Sequence, residues 1–403
     1  MIKDKKVLNA IYIGTLCSIS YLAVYFARNI LSVVTPQMIE NGFSEAYIGK
    51  VSSVYFIFYA VGQLINGAIG DKIKAKYMIS LGLILAGITN TVFPYMVDIN
   101  QDTALIIYGM TGYFLAMIYG PMTKIVAENT EPIYATRCSL GYTLASFLGS
   151  PLAGVVGAAL IWQSVFMTST AVLVVMGIVF FAICVMLEKK GIVKYNQYDR
   201  PKGEGGGIKI LIKNRIIRFT LVSVITGVIR TTVVFWFPTY ISQYLGFSAD
   251  KSAMIFTVAS FGISASAFVA IFLYERLRRN MDLTLFVSFL ASTVFFILTY
   301  FIEQPVINVV MLVLAIIGGD SAATMLWSRY CPSLRDTGMV SGATGFLDFM
   351  SYMAAAVSST LFANSVSVIG WGNLILIWAG LMAIGVIISI NPKRFKNNKK
   401  GYC

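Results

Sequence analysis

The sequence contains no histidine. That absence removes the side chain that ordinarily carries a proton near neutral pH, and with it any Ser-His or Cys-His nucleophilic arrangement. Charge is scarce too: Asp, Glu, Lys and Arg make up 12% of the 403 residues, where a soluble domain carries about a quarter. The five cysteines (Cys17, Cys138, Cys184, Cys331 and Cys403) are scattered, with neither metal-ligand spacing nor an extracellular pair, so no disulfide and no zinc site is expected. No Gly-x4-Gly-Lys-Ser/Thr phosphate loop occurs, and Gly203, Gly205, Gly206 and Gly207 follow no strand. Nucleotide hydrolysis within the chain is therefore not the expected energy source, and no cofactor, metal or catalytic residue is predicted. What fills the chain instead is apolar: 57% of residues are hydrophobic. Apolar runs of about 20 residues or more recur, each able to cross a hydrocarbon core of about 30 Å as a helix. The expected class is an all-α, polytopic membrane protein.

The net charge is +13, but its placement points away from nucleic acid. With the N-terminus inside, only Lys50 and Lys251 of the 31 Lys and Arg fall on the outer side, and only Arg28 and Arg230 fall within the membrane. The rest occupy the tails and the inner connections, which is the positive-inside bias that sets orientation. Both termini are expected in the cytoplasm of a bacterial cytoplasmic-membrane protein touching anionic lipid. The basic start MIKDKKVLNA leads into an apolar segment too long for a cleaved signal, so it begins the first membrane helix.

Hydrophobic runs and polar breaks predict twelve spans, at 8–34, 47–69, 77–97, 104–126, 137–160, 165–187, 216–242, 251–273, 283–303, 305–327, 337–363 and 371–391. The longest break, 188–215, is basic and glycine-rich, with a short interfacial helix expected near 207–214. It divides the chain into six-helix bundles at 1–187 and 216–403. An internal repeat supports the division. Arg28 and Arg230 each sit in an apolar stretch, each precedes a proline by eight residues (Pro36, Pro238), and each is followed by Gly-Phe-Ser, at 42–44 and 246–248. Parallel repeats of this kind place a substrate site at the repeat interface. Small residues in the fifth, eighth and eleventh spans suit close helix approach there.

A charge at the centre of a membrane helix costs about 2.5–3.5 kcal/mol on insertion scales, so each arginine marks a functional site. The guanidinium is a permanently charged, planar fork that fits carboxylate or phosphate. Tyr21 and Tyr25 precede Arg28 by seven and three residues, on or near its helix face. Tyr55 and Tyr59 form an i, i+4 pair on the second span, and Tyr352 lies in the eleventh. Asp320 and Asp348 are acids inside spans, each able to take a proton, a substrate ammonium or an arginine.

The loop from Gly67 to Tyr77, GAIGDKIKAKY, resembles the motif between helices 2 and 3 of the major facilitator superfamily. The resemblance implies a latch in which Asp71 pairs with basic groups, with Glu275 and Arg276 in the equivalent loop of the second half. More narrowly, YFARN, VIRTTVVFWFPTYI (with Trp236) and CPSLRDTGMVSGATGFLDFMSY resemble the organophosphate:phosphate antiporter family. That likeness implies phosphate binding by Arg28 and Arg230, with phenol support from Tyr21, Tyr25, Tyr59 and Tyr352. The chain has Asn29 and Gln63 where glycerol-phosphate carriers of that family have lysines, Ser146 near their helix 5 histidine, and YGPM at 119–122 for a GWPP-like stretch. Gln63 and Ser146 are thus expected to line a less positive site. The expected activity is exchange of an organophosphate for inorganic phosphate by a functional monomer. A proton-coupled carboxylate, zwitterion or drug carrier, with Asp320 or Asp348 as proton site, and a non-transporting sensor on the same fold remain as alternatives.

Overall fold

The computed structural model describes residues 2–70, 73–195, 208–334 and 340–390. All of its regular structure is helical, as it must be where the bilayer offers backbone groups no partner. The helices run α1 (Ile2–Glu40), α2 (Glu45–Gly70), α3 (Ala75–Ile99), α4 (Gln101–Leu115), α5 (Tyr119–Asn129), α6 (Pro132–Ala159) and α7 (Trp162–Lys189). After the short α8 (Ile208–Lys213) come α9 (Ile216–Gly227), a π-helical segment Val228–Val233, α10 (Val234–Gln243), α11 (Ala249–Ser264) and α12 (Ser266–Arg276). The series closes with α13 (Met281–Phe301), α14 (Pro305–Met325), a second π-helical segment Leu326–Tyr330, α15 (Cys331–Ser333) and α16 (Val340–Ser389).

Ten stretches among the described residues are long and apolar enough to span a membrane. The last of them runs Ala343–Ser389 and is broken at Gly370, whose φ of 75° and ψ of 168° interrupt α16. With that break and the 28-residue α6, the architecture accords with the expected all-α, twelve-span organisation. The fourth predicted span is two helices, α4 and α5, which meet around Ala116. Helix starts follow local chemistry. The Asn100 side chain accepts from the Thr103 amide at 2.9 Å to open α4, and Asn280 accepts from Leu283 at 3.2 Å to open α13. Gln304 caps α14 at 2.6 Å, followed by Pro305, whose missing N–H costs nothing at a first helical position.

The sequence repeat reappears in the backbone. Gly42 and Gly246 both take positive φ, 93° and 75°. They sit just past the ends of α1 and α10, where a left-handed residue ends a helix and a side chain would be strained. Pro36 and Pro238 both lie inside their helices.

The chain forms two compact units: one of 1–202, 235–261 and 359–363, the other of 203–234, 262–358 and 364–403. In the first, α1 packs along α6, α3 along α7 and α4, and α2 along α4. Segments 235–261 and 359–363 join it through polar contacts. Ser32 donates to the Phe235 carbonyl at 2.5 Å, the Ser53 and Thr360 hydroxyls lie 2.6 Å apart, and the Gln243 amide donates to Glu45 at 2.6 Å. In the second unit, α13 and α12 pack on α14. Ser223 donates to the Leu347 carbonyl at 2.6 Å, tying α9 to α16. Arg218 donates to Asp282 at 2.8 Å and to the carbonyls of Ile388 and Ser389 at 2.8 and 2.7 Å, which fastens the end of α16.

Candidate functional site

Arg28 occupies the middle of α1 and is half-buried. Its guanidinium carbon lies 5.2 Å from the centre of the Tyr59 ring, 5.5 Å from Tyr25 and 6.0 Å from Phe56. Three ring faces thus surround a cation inside an apolar helix pair, each contact contributing about 0.5–2 kcal/mol according to its desolvation. Tyr25 reaches it from one turn back on α1, while Phe56 and Tyr59 come from adjacent turns of α2. The position of Tyr25 is set by α6. A Cβ at Gly149 would meet the Cβ and backbone of Tyr25 in overlap, so only glycine lets the two helices approach here.

A second aromatic layer backs the first. Tyr21 packs against Tyr25 with centroids 4.9 Å apart, against Tyr119 of α5 at 5.5 Å and against Tyr142 of α6 at 6.0 Å. Tyr119 and Tyr142 are 6.3 Å from each other. Ser146 follows Tyr142 by one turn and is buried, between Tyr142 and Gly149 on one face of α6. Gln63 is half-buried one turn beyond Tyr59. Asn29 turns its amide onto the Tyr25 carbonyl at 2.6 Å. Sequence reasoning picked out Tyr21, Tyr25 and Tyr59. It passed over Phe56, Tyr119 and Tyr142, for which the signal available was an aromatic one residue or one turn from a residue already named.

Arg230 has a different setting. It lies in the π-helical segment, where the turn widens by one residue. Val228, Ile229, Thr231, Thr232 and Val233 are all buried, and Arg230 alone among them is exposed. The Thr232 hydroxyl donates to the Ala355 carbonyl at 3.1 Å and lies 2.7 Å from the Ser358 hydroxyl, bracing the segment against α16. Gly227 approaches Ser351 so closely that a Cβ would collide with its carbonyl. Tyr352, beside Ser351, is buried, and Asp348, one turn earlier, is half-buried.

Asp320 lies on α14 in the same unit as Arg230. The Ser266 hydroxyl donates to Asp320 Oδ2 at 3.4 Å, while buried Oδ1 has no hydrogen-bond partner among the described residues. Trp236, six residues after Arg230, is fully buried, and its indole N–H likewise has none among them.

Of the expected latch groups, Asp71 lies outside the described residues. Two lysines of the same loop converge on Glu188 at the end of α7: Lys74 at 3.0 Å, and the buried Lys76. Lys74 also lies over the Tyr195 ring at 5.4 Å. Glu188 was missed because it is remote in sequence and belongs to a run of charges that reads as a solvated helix end. Glu275 and Arg276 are exposed on the last turn of α12. No group of three or more metal-ligating side chains occurs among the described residues.

A description of the Major Facilitator Superfamily matches residues 17–359. The chain is similar to a phosphoglycerate transporter protein of Salmonella typhimurium, 23% identical over 90% of this chain and 85% of the relative. It is also similar to the membrane sensor protein UhpC of Escherichia coli, 22% identical over 93% and 91%. Among solved structures, a bacterial homolog of the human lysosomal transporter Spinster, inward-facing and unoccupied, superposes with a TM-score of 0.74 at 14% identity, covering 94% of this chain and 96% of that one. That likeness concerns the fold.

Proposed function

Since this chain belongs to the Major Facilitator Superfamily and is a multi-pass membrane protein, we propose that it is a secondary active transporter of an organic anion. The substrate class is an organophosphate of the sugar- or glycerol-phosphate type, exchanged for inorganic phosphate by alternating access. One observation carries the reading: a permanently charged guanidinium, Arg28, is held inside an apolar helix pair by the rings of Tyr25, Phe56 and Tyr59. Its repeat mate Arg230 supplies the second positive group to the same anion, and the linker 188–215 joins bundles 1–187 and 216–403. The name of the phosphoglycerate transporter relative supports the substrate class. Tyr21, Tyr25, Tyr59, Gln63, Ser146, Trp236 and Tyr352 serve as its neutral lining, and the charge distribution puts both termini in the cytoplasm. The fold needs one chain, and we assign function to the monomer.

A sensor on the same scaffold is the second reading, favoured by the similarity to UhpC. Proteoliposomes loaded with inorganic phosphate, offered labelled sugar phosphates, glycerol phosphate, phosphonates and carboxylates in turn, separate the two. Uptake of a phosphate ester that needs internal phosphate is expected. Binding without counterflow would favour the sensor. Uptake that follows a pH gradient and ignores internal phosphate would favour a proton-coupled carrier.

A further inference from the structure

The loop between α2 and α3 and the loop between α12 and α13 hold equivalent places in the repeat, and both are basic. In the first unit the counter-charge is internal: Lys74 and Lys76 both pair with Glu188 at the end of α7. The second unit lacks that acid. No Asp or Glu follows Asp348 in the sequence, so the end of α16 supplies no carboxylate. Asp282, in the first turn of α13, is already held by Arg218 at 2.8 Å and by Arg215 at 3.8 Å. Arg276, Arg278 and Arg279 are exposed, and none of them forms an ion pair among the described residues. Arg329, 4.6 Å over the Tyr274 ring, brings a fourth exposed guanidinium to the same corner, against the exposed carboxylate of Glu275.

The loop is also strained in a way that keeps its charges in place. Arg278 and Arg279 both take a φ of 56°. The Arg278 amide donates to the Glu275 carbonyl at 3.3 Å and the Arg279 amide to the Tyr274 carbonyl at 2.8 Å, which fixes the turn. Past α1 and α10 the left-handed position is filled by Gly42 and Gly246, which meet no steric penalty there. Arginine at such a position is strained, and strain of this kind marks a functional use for the side chain. An apolar stripe leads up to the loop. Phe268, Phe272 and Arg276 follow at four-residue steps on one face of α12, and the two rings are 62% and 68% exposed. The apolar span Ala249–Arg276 ends at that arginine.

We propose that the end of α12 and the loop 277–280 bind the headgroup of an anionic phospholipid of the inner leaflet, with an acyl chain along Phe268 and Phe272. The lipid phosphate supplies from outside the chain the counter-charge that Glu188 supplies within the first unit. Attraction of basic loops to anionic lipid is general. The missing acid, the fixed turn and the ring stripe confine it here to one place in one unit. A free phosphate would leave the two rings unused, and an acidic protein would not reach them within the bilayer. The site is separate from Arg28 and Arg230 and does not depend on the anion they bind.

Native mass spectrometry of the full-length protein in detergent, titrated with phosphatidylglycerol and separately with phosphatidylcholine, tests this. Two charges are removed at each of two places. One variant carries Arg278→Gln with Arg279→Gln, and the other Lys189→Gln with Lys190→Gln, exposed lysines at the end of α7. At about fivefold per basic residue, phosphatidylglycerol affinity should fall about 30-fold in the arginine variant and less than about twofold in the lysine variant. Phe268→Ala with Phe272→Ala should also weaken phosphatidylglycerol several-fold. Equal losses in the two charge variants would reduce the effect to general surface attraction and overturn the proposal. Phosphatidylcholine binding as tight as phosphatidylglycerol, or displacement of the lipid by an equal concentration of inorganic phosphate, would overturn it too. Should the arginine variant fail to fold, Arg276→Gln against Lys189→Gln decides it, with about a fivefold loss expected in the first alone.

Discussion

Arg28 and Arg230 occupy matching places in a sequence repeat, yet the protein accommodates the two charges by different means. Arg28 sits in regular α-helix with its guanidinium against three ring faces. Arg230 sits in a π-helical turn and is exposed, in a segment braced against α16 by Thr232. Ring quadrupoles attract a cation without removing its charge. The Arg28 surroundings are therefore a belt of aromatic rings, and those of Arg230 a widened turn braced by hydroxyls.

The largest expected effect breaks the symmetry at its root. Arg28→Lys and Arg230→Lys keep the charge and lose the planar fork, at a cost near that of one or two charge-assisted hydrogen bonds, about 1.5–3 kcal/mol. Counterflow should fall about 10- to 100-fold in each. Near wild-type flux in either would show that a point charge suffices. Next is Gly149→Val, which pushes α6 off the Tyr25 backbone. Overpacking of this kind costs about 1–3 kcal/mol, so a lowered melting temperature in detergent and weaker phosphate binding are both expected. An unchanged melt would mean that the helix contact is looser than the geometry describes.

A smaller effect separates ring from hydroxyl beside Arg28. Tyr59→Phe keeps the cation–π contact, whereas Tyr59→Leu removes it, at about 0.5–2 kcal/mol. Phosphate affinity should fall several-fold more in the leucine variant. Equal losses would assign the role to the phenol rather than the ring. The smallest effect lies far from both arginines. Glu188→Gln removes two ion pairs, one to the half-exposed Lys74 and one to the buried Lys76. The Lys74 pair contributes about 1 kcal/mol or less and is screened by salt, whereas the Lys76 ammonium left unpaired adds a cost that salt does not remove. A shift of a few degrees in melting temperature is therefore expected, only partly abolished at high salt.

The helices and the two arginines were legible in the sequence because a charge within an apolar run is costly and stands out. Tyr25 and Tyr59 were legible through helical spacing, Tyr25 from Arg28 itself and Tyr59 from Tyr55. Phe56, Tyr119 and Tyr142 were not, since an aromatic in a membrane helix reads the same whether it backs a site or fills the core. The π-helical segment at Arg230 has no sequence signature. It is braced against α16 through Gly227, Thr232 and Ser358, contacts between residues far apart in sequence. The break at Gly370 falls in the gap between the last two predicted spans, where a polar turn was expected. Glu188 required knowing that the end of α7 meets the start of α3.

The central claim is that Arg28 and Arg230 act on one anion. A double-mutant cycle measures it: calorimetric phosphate affinity of the wild type, Arg28→Lys, Arg230→Lys and the double variant in the full-length protein. The account predicts one phosphate per chain, a loss in each single variant, and a loss in the double variant well short of the product of the two. Losses that multiply as independent sites, or wild-type affinity in either single variant, would contradict it.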